Sequence, residues 1–198
     1  MSKVVVFGAN GGTGRLIVEQ ARQAGHDVTA AVRRPTGPGE IAADVRDAES
    51  VAAAVTGQDV VISAIGAPGR KSLNLYSDAA RAFIAAMDHG RLIVITSSGV
   101  RPDDPNFSLW YRVLAHTLVK ELYADMRHGE EIIRESALDW TFVRPTRLLD
   151  TPAAESIRAE NAQTPKGGWQ IPRANVARFI VTELEDSRWS HQAPTLAL

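Results

Sequence analysis

The chain has 198 residues, 44% of them hydrophobic and none a cysteine, and its formal net charge is -1. This length and composition fit one α/β domain rather than two full domains. Without cysteine there are no disulfides, no thiolate catalysis and no cysteine-ligated zinc, and we expect no metal site. The near-neutral charge gives no indication of a nucleic-acid surface.

The beginning of the chain and its hydropathy bear on location. An apolar strand starts at Val4, which leaves no room for a signal peptide. No apolar run approaches the ~20 residues that a membrane span needs. We therefore expect a soluble cytoplasmic protein, monomeric or homodimeric, with no membrane contact.

A glycine-rich turn near the N-terminus carries the strongest signal. Residues 4–7 predict a buried parallel strand, and residues 15–24 have the apolar spacing of a helix. Between them, glycines allow a tight turn, close approach of a pyrophosphate and close helix packing. The helix N-terminus favours an anion, so the sequence predicts a dinucleotide site, with a purely structural turn as the alternative. The predicted cofactor-binding residues of this turn are Gly8, Asn10, Gly11, Gly12, Thr13 and Gly14.

The second strand, residues 27–32, ends at Arg33 and Arg34, and no carboxylate follows until Glu40. An acidic residue here would bind the ribose hydroxyls of NAD, whereas arginine suits the 2′-phosphate of NADP. The pair therefore predicts NADP (NADPH) in preference to NAD. The alternative is that both arginines are solvated surface charges.

The third and fourth strands extend the predicted cleft. After residues 41–45 we expect Asp44 to accept from the adenine amino group and Val45 to form an apolar wall, unless Asp44 only caps a turn. The fourth strand, residues 59–65, is almost continuously apolar, as in a buried parallel strand. Because ligands of doubly wound sheets bind beyond the strand ends, further cofactor-binding residues are predicted here. They are Ala64, Ile65 and Gly66.

The fifth strand, residues 91–96, is followed by Ser97 and Ser98. Their hydroxyls either orient a substrate group at the nicotinamide or bond the local turn backbone. Residues 109–136 are predicted to be mostly helical, with a break near Gly129. Aromatic residues at the start of this region form either a lid or pocket wall, or a cluster that packs the loop down: Phe107, Trp110 and Tyr111.

The sixth strand, residues 139–143, leads into Pro145 and Thr146 and toward the cleft. Residues 148–172 are the least regular part of the chain and predict a small substrate-side excursion, because specificity usually resides in such segments. Around residues 157–170 we expect either short strands or a small cap. A helix over residues 173–185 and a final edge strand complete the predicted chain.

These segments together resemble the atypical short-chain dehydrogenases. More narrowly, they resemble the NAD(P)H-binding branch that contains NmrA-like proteins and biliverdin-IX-beta reductase, also called flavin reductase. The segments that carry the resemblance are residues 6–14, 32–34, 95–99, 135–145 and 171–177.

The resemblance implies an α/β fold: a doubly wound parallel Rossmann sheet of order 3-2-1-4-5-6-7, with helices on both faces and NADP across its carboxyl edge. It also implies hydride transfer to a flat conjugated acceptor. The family's active-site serine falls at Ser97, with Ser98 beside it. Pro145 and Thr146 fall where the family's chain passes the nicotinamide.

One departure from the family pattern bears on catalysis. Short-chain dehydrogenases of the usual kind carry a tyrosine four residues before a lysine, and these positions fall on Leu122 and Met126. Tyr123 remains a candidate proton donor, but with Lys120 it is predicted to face about 100 degrees away from the expected side of the helix. His116 is a further stray candidate.

Two functions stay open from the sequence. The first is an NADPH-dependent reductase of flavins, quinones or similar planar acceptors. This reaction does not need the tyrosine–lysine pair, because the acceptor nitrogen can take its proton from water. A carbonyl reductase needs a donor for the forming alkoxide. The alternative is a non-catalytic NADP(H) sensor of the NmrA-like kind. A sugar-nucleotide epimerase is disfavoured by the short chain and the missing tyrosine.

Overall fold

The computed structural model describes residues 1–67, 69, 73–107 and 119–198. Its strands are β1 (Lys3–Phe7), β2 (Asp27–Val32), β3 (Glu40–Ala42), β4 (Val60–Ser63), β5 (Arg91–Ile95), β6 (Asp139–Pro145), β7 (Arg147–Leu149), β8 (Arg158–Asn161), β9 (Gln170–Pro172) and β10 (Pro194–Ala197). Its α-helices are α1 (Gly12–Gln23), α2 (Ala48–Val55), α3 (Leu75–Ala86), α4 (Lys120–Arg134) and α5 (Arg173–Asp186).

The main sheet has eight strands in the order β3-β2-β1-β4-β5-β6-β10-β8. The chain reverses direction across the sheet between β1 and β4, which is the switch point of a doubly wound fold. This confirms the predicted α/β class, the order of the first six strands and a C-terminal strand beyond them.

The predicted edge position of the last strand is wrong. β8 pairs antiparallel with β10 on its outer side, so β10 is flanked on both sides and buried. β8 arises from the excursion after β6, and its residues Arg-Ala-Glu-Asn lack the apolar alternation that predicts a strand. The same excursion supplies β7 and β9, which form a separate two-stranded parallel sheet.

The core lies in two layers because side chains of a strand alternate between faces. On β1, Val4 and Val6 pack with α1 and α5, whereas Val5 and Phe7 pack on the opposite face with α2 and α3. Burial on both faces explains the continuous apolar runs of the central strands. The carboxyl edge of the sheet is thereby held rigidly from both sides.

The predicted break near Gly129 is also wrong, since α4 is continuous from Lys120 to Arg134. Gly129 instead marks the place where α4 lies closest to α3. A methyl group built there would lie 2.9 Å from the carbonyl oxygen of Tyr76. Beside it, Asp125 of α4 accepts hydrogen bonds from the backbone N–H groups of Tyr76 and Ser77, at 3.0 and 3.1 Å.

We expect Gly129→Ala to destabilise the fold, although alanine favours an isolated helix by about 0.5–1 kcal/mol. The added methyl overpacks the contact with Tyr76, which costs about 1–3 kcal/mol. The free energy of unfolding in urea measures the balance. Glu121→Ala, on the exposed face of α4, is the control and should change this energy by less than about 0.5 kcal/mol. A more stable Gly129→Ala variant would contradict the close packing.

Candidate functional site

A cleft of about 1980 Å³ runs along the carboxyl edge of the sheet. Pockets for one small ligand are typically about 300–1,000 Å³, so this cleft has room for a dinucleotide and a second molecule. Every predicted cofactor-binding residue lines it except Gly14, and the predicted catalytic residues Ser97, Ser98 and Tyr123 line it too.

The glycine turn forms a cradle that side chains would block. Gly8 has φ +75°, and a methyl group built on it would lie 2.5 Å from the Ala64 carbonyl oxygen. At Gly14 the built methyl would lie 2.2 Å from the Gly8 carbonyl oxygen. Gly14 is therefore buried beneath the turn and allows the close helix packing that the sequence predicts, while its contact with the cofactor stays a prediction.

At the base of this cradle the backbone of the glycine turn is exposed to the cleft. Gly11 caps the N-terminus of α1 in an extended conformation, and its N–H donates to the Gly8 carbonyl oxygen at 2.9 Å. Gly11 and Gly12 are exposed to the cleft. Free N–H groups at a helix N-terminus attract anions, and the absent side chains leave space for a diphosphate.

Arg173, the first residue of α5, lies over this cradle and was not predicted from the sequence. Its Nη1 donates to the Thr13 hydroxyl at 3.2 Å, and its Nε contacts Asp150 at 2.7 Å. A methyl group on Gly12 would approach its side chain to 3.2 Å. The contact with Thr13 spans 160 residues of sequence, so no local pattern could have revealed it.

Arg33 and Arg34 are exposed at the end of β2 and line the cleft. Within the described part of the chain neither forms an ion pair. Glu40, the nearest carboxylate in sequence, instead accepts from the backbone N–H groups of Thr36 and Gly37 at 2.5 and 3.2 Å. The bond from Thr36 holds the pKa of Glu40 below its ordinary value. Both guanidinium groups are thus available to an anion.

The predicted adenine contacts lie next to these arginines. Val45 is buried in the cleft wall. Asp44 is exposed, and its Oδ1 accepts from the backbone N–H of Arg46 at 3.0 Å, so the turn alternative is present in the structure. Arg46 also lines the cleft and donates to the Leu73 carbonyl oxygen at 3.0 Å, a cation that the sequence analysis missed.

At the other end of the cleft, Ser97 and Ser98 follow β5. The Ser97 hydroxyl accepts from the Gly99 backbone N–H at 3.3 Å, as the turn alternative requires. A hydroxyl that accepts one bond keeps its own proton to donate, so Ser97 can still orient a bound group. Thr146, after β6, donates its hydroxyl to the Leu196 carbonyl oxygen at 3.0 Å and is buried.

A buried polar network fixes these two strand ends. Glu130 of α4 accepts from the Thr96 hydroxyl at 2.7 Å and from Arg144 Nε at 3.0 Å, with a second bond from Arg144 Nη2. Thr96 immediately precedes Ser97, and Arg144 immediately precedes Pro145. The network therefore joins both site segments to one helix.

Tyr123 lies against the serine turn, contrary to the prediction that it faces away. A methyl group on Gly99 would lie 2.3 Å from the Tyr123 ring, so the ring covers this glycine. Leu122 and Met126 line the cleft as well, because the cleft contacts a broad face of α4. Lys120 is exposed and does not line the cleft, so it does not pair with Tyr123 at the site.

Apolar and aromatic side chains complete this end of the cleft. Phe107 lines it as predicted for a pocket wall, and Leu148 and Trp169 line it from the excursion. Tyr76 was not predicted to lie here; burial raises the pKa of its phenol, which therefore stays neutral. The predicted candidates Trp110, Tyr111 and His116 lie outside the described residues.

The model of a protein family described as NAD(P)H-binding matches residues 8–187 of this chain. The chain belongs to the NAD(P)H-binding family. This confirms the resemblance seen in the sequence and supports a nicotinamide cofactor. The cradle without side chains and the cations beside it fit such a group.

Relatives of this NAD(P)H-binding protein span its whole length. The uncharacterized sugar epimerase YhfK of Bacillus subtilis is 28% identical over 96% of this chain and 92% of its own. A candidate NADH-flavin reductase of Streptococcus pneumoniae is 27% identical, with a TM-score of 0.79 and coverage of 100% and 99%. The anaerobillin reductase ChuY of Escherichia coli O157:H7 is 26% identical, with a TM-score of 0.76 and coverage of 99% and 97%.

Among the described residues of this NAD(P)H-binding protein, no helix combines the length and the apolar character needed to cross a bilayer.

Arg173→Met should weaken binding of NADH and NADPH equally, because both cofactors carry the diphosphate. A charge-assisted hydrogen bond is worth about 1.5–3 kcal/mol, so we expect a rise in Kd of about 10- to 150-fold by calorimetry. Arg178→Met is the control, since Arg178 lies on the same helix and donates to the Ala154 carbonyl oxygen. Unchanged affinity in folded Arg173→Met protein would exclude the diphosphate contact.

Proposed function

We propose that this protein is an NADPH-dependent reductase that transfers hydride to a flavin, a quinone or a similar planar acceptor. The observation that carries the proposal is the character of the cleft beside Ser97. Apolar and aromatic side chains wall it, and flat apolar surfaces favour stacking of a conjugated ring. The excursion over residues 148–172, which supplies Leu148 and Trp169, is the substrate-side segment in this account.

The missing tyrosine–lysine pair agrees with this reaction class. Leu122 and Met126 occupy the expected positions, and neither can donate a proton to a forming alkoxide. A conjugated acceptor accepts hydride at one atom and can take its proton from water at another. The names of two relatives, the candidate NADH-flavin reductase and the anaerobillin reductase ChuY, support this class. The epimerase name of YhfK fits less well, because that chemistry would need the absent tyrosine.

The chain's contribution is binding and orientation. When bound, the nicotinamide cofactor supplies the hydride. In our proposal Gly11 and Gly12 hold the diphosphate, and residues 64–66 and 145–146 flank the nicotinamide portion. Ser97 orients the reacting groups through its free O–H. Tyr123, which covers the serine turn, is the second group able to hold a proton there.

NADPH is the preferred cofactor in this proposal. Arg33 and Arg34 are exposed to the cleft and have no carboxylate partner among the described residues. Phosphate is bound well by guanidinium groups, which donate in a fixed fork geometry. NADH lacks the 2′-phosphate and so gains nothing from either arginine.

A second function is favoured by the same departure from the family pattern. Because no tyrosine–lysine pair is present at Leu122 and Met126, the protein can instead be a sensor whose NADP(H)-bound state acts on a partner. Steady-state oxidation of NADPH with FMN and with a quinone separates the two functions. Turnover supports the reductase, whereas tight NADPH binding without turnover of any planar acceptor supports the sensor.

Replacing Arg33 and Arg34 together by alanine should weaken NADPH much more than NADH. Loss of one to two charge-assisted bonds predicts a rise in the Kd of NADPH of at least about 10-fold, with the Kd of NADH nearly unchanged. Calorimetry with both cofactors on the same variant provides the internal control. Equal losses for the two cofactors would refute the phosphate contact.

A further inference from the structure

Arg147 and Trp169 form a cation–aromatic pair at the substrate end of the cleft. The guanidinium carbon of Arg147 lies 5.6 Å from the centroid of the Trp169 ring. The backbone N–H of Arg147 donates to the Trp169 carbonyl oxygen at 3.1 Å, at the start of the β7–β9 pairing. Both residues line the cleft, and Trp169 is 59% exposed.

Trp169 directly follows a turn whose backbone is held in place at Gly168. The N–H of Gly168 donates to the Pro165 carbonyl oxygen at 2.8 Å. A methyl group built on Gly168 would lie 2.4 Å from the side chain of Ala197, so the turn is pressed against β10. A large apolar ring that is held in place yet exposed to a cleft is suited to stacking a planar ligand.

Within the described part of the chain, no carboxylate neutralises the charge of Arg147. Two other arginines that follow or approach the same edge of the sheet are paired with carboxylates, Arg173 with Asp150 and Arg144 with Glu130. Among the described residues, Arg147 forms no ion pair or side-chain hydrogen bond. The contact with the Trp169 ring face uses no hydrogen-bond acceptor, so the N–H groups of the guanidinium remain able to donate to a ligand.

The two free arginine sites lie at opposite ends of the cleft. Arg33 and Arg34 follow β2, whereas Arg147 follows β6, and these strands are four positions apart in the sheet. At about 4.7–4.9 Å between neighbouring strands, the sites are separated by about 19 Å. A 2′-phosphate bound after β2 is therefore out of reach of Arg147, which leaves this guanidinium group available to a different anion.

We propose that Arg147 and Trp169 bind the acceptor and select planar molecules that carry an anionic substituent. The conjugated ring stacks on Trp169 while a phosphate or carboxylate of the same molecule accepts from Arg147. This inference rests on the proposed reductase function and narrows its substrate class. FMN, with its phosphate, is a better acceptor than riboflavin, which has the same ring and no phosphate, and neutral quinones are poor acceptors.

The test measures KM for FMN, riboflavin and NADPH in the wild type and in Arg147→Met. We expect the KM of FMN to rise about 10-fold or more in the variant. The KM values of riboflavin and NADPH should not change, because neither uses Arg147. Equal changes for FMN and riboflavin would overturn the proposal, as would a change confined to NADPH, which would place Arg147 in the cofactor site.

Two further variants separate the charge from the ring. Trp169→Ala should raise the KM of FMN and of riboflavin together, because both lose the stacking surface. Arg188→Met is the matched control, since Arg188 lies 5.8 Å from the ring centroid of Trp189 and neither residue lines the cleft. A loss in Arg188→Met equal to that in Arg147→Met would mean that the effect is not local, and would overturn the assignment.

Direct binding keeps this inference distinct from the proposed reductase function. Flavin fluorescence is titrated with protein in the presence of NADP⁺, which requires no turnover. FMN binding that weakens in Arg147→Met supports the anion site even if no acceptor is reduced, in which case only the reductase proposal fails. Equal binding of FMN by the wild type and Arg147→Met, or no FMN binding by either, would overturn the inference.

Discussion

The rest of the structure depends on backbone packed against backbone at the first turn. Because Gly8 and Gly14 have no side chains, α1 begins directly against the end of β1, and β4 lies close beside both. The free N–H groups of α1 then face the switch point of the sheet. A single added methyl group would separate these segments, so the exposure of these N–H groups to the cleft is a direct consequence of their contact.

The arginines around the cleft differ in the contacts that hold them, and we propose a different ligand group for each. Arg173 is fixed by Asp150 above the glycine cradle, where we propose that the diphosphate binds. Arg33 and Arg34 are exposed at the end of β2, where we propose that the 2′-phosphate binds. Arg147 lies over the Trp169 ring after β6. In this proposal a cofactor and a second anionic molecule share the cleft without competing for one guanidinium group.

The wall opposite the glycine turn explains how the site can lack a tyrosine–lysine pair. α4 places Leu122 and Met126 against the cleft, and Tyr123 covers Gly99 beside the serines. Glu130 of the same helix is bonded to Thr96 and to Arg144 and so fixes the ends of β5 and β6. The helix therefore acts as a rigid apolar wall, which suits a reaction governed by orientation rather than by a dedicated acid.

The sequence by itself determined the parts that local pattern controls: the glycine turn, the buried parallel strands and the arginines after β2. The order of the strands from β1 to β6 was implied by the family resemblance and not by local pattern. Strand periodicity and turn geometry are short-range properties, so they can be seen within a few residues. Only the tertiary structure decided the position of Arg173 over Gly12, the approach of Tyr123 to Gly99, the pairing of polar β8 with β10, and the use of Gly129 for packing. Each of these joins residues far apart in the chain, and such contacts follow from how helices and strands pack, which no local spacing records.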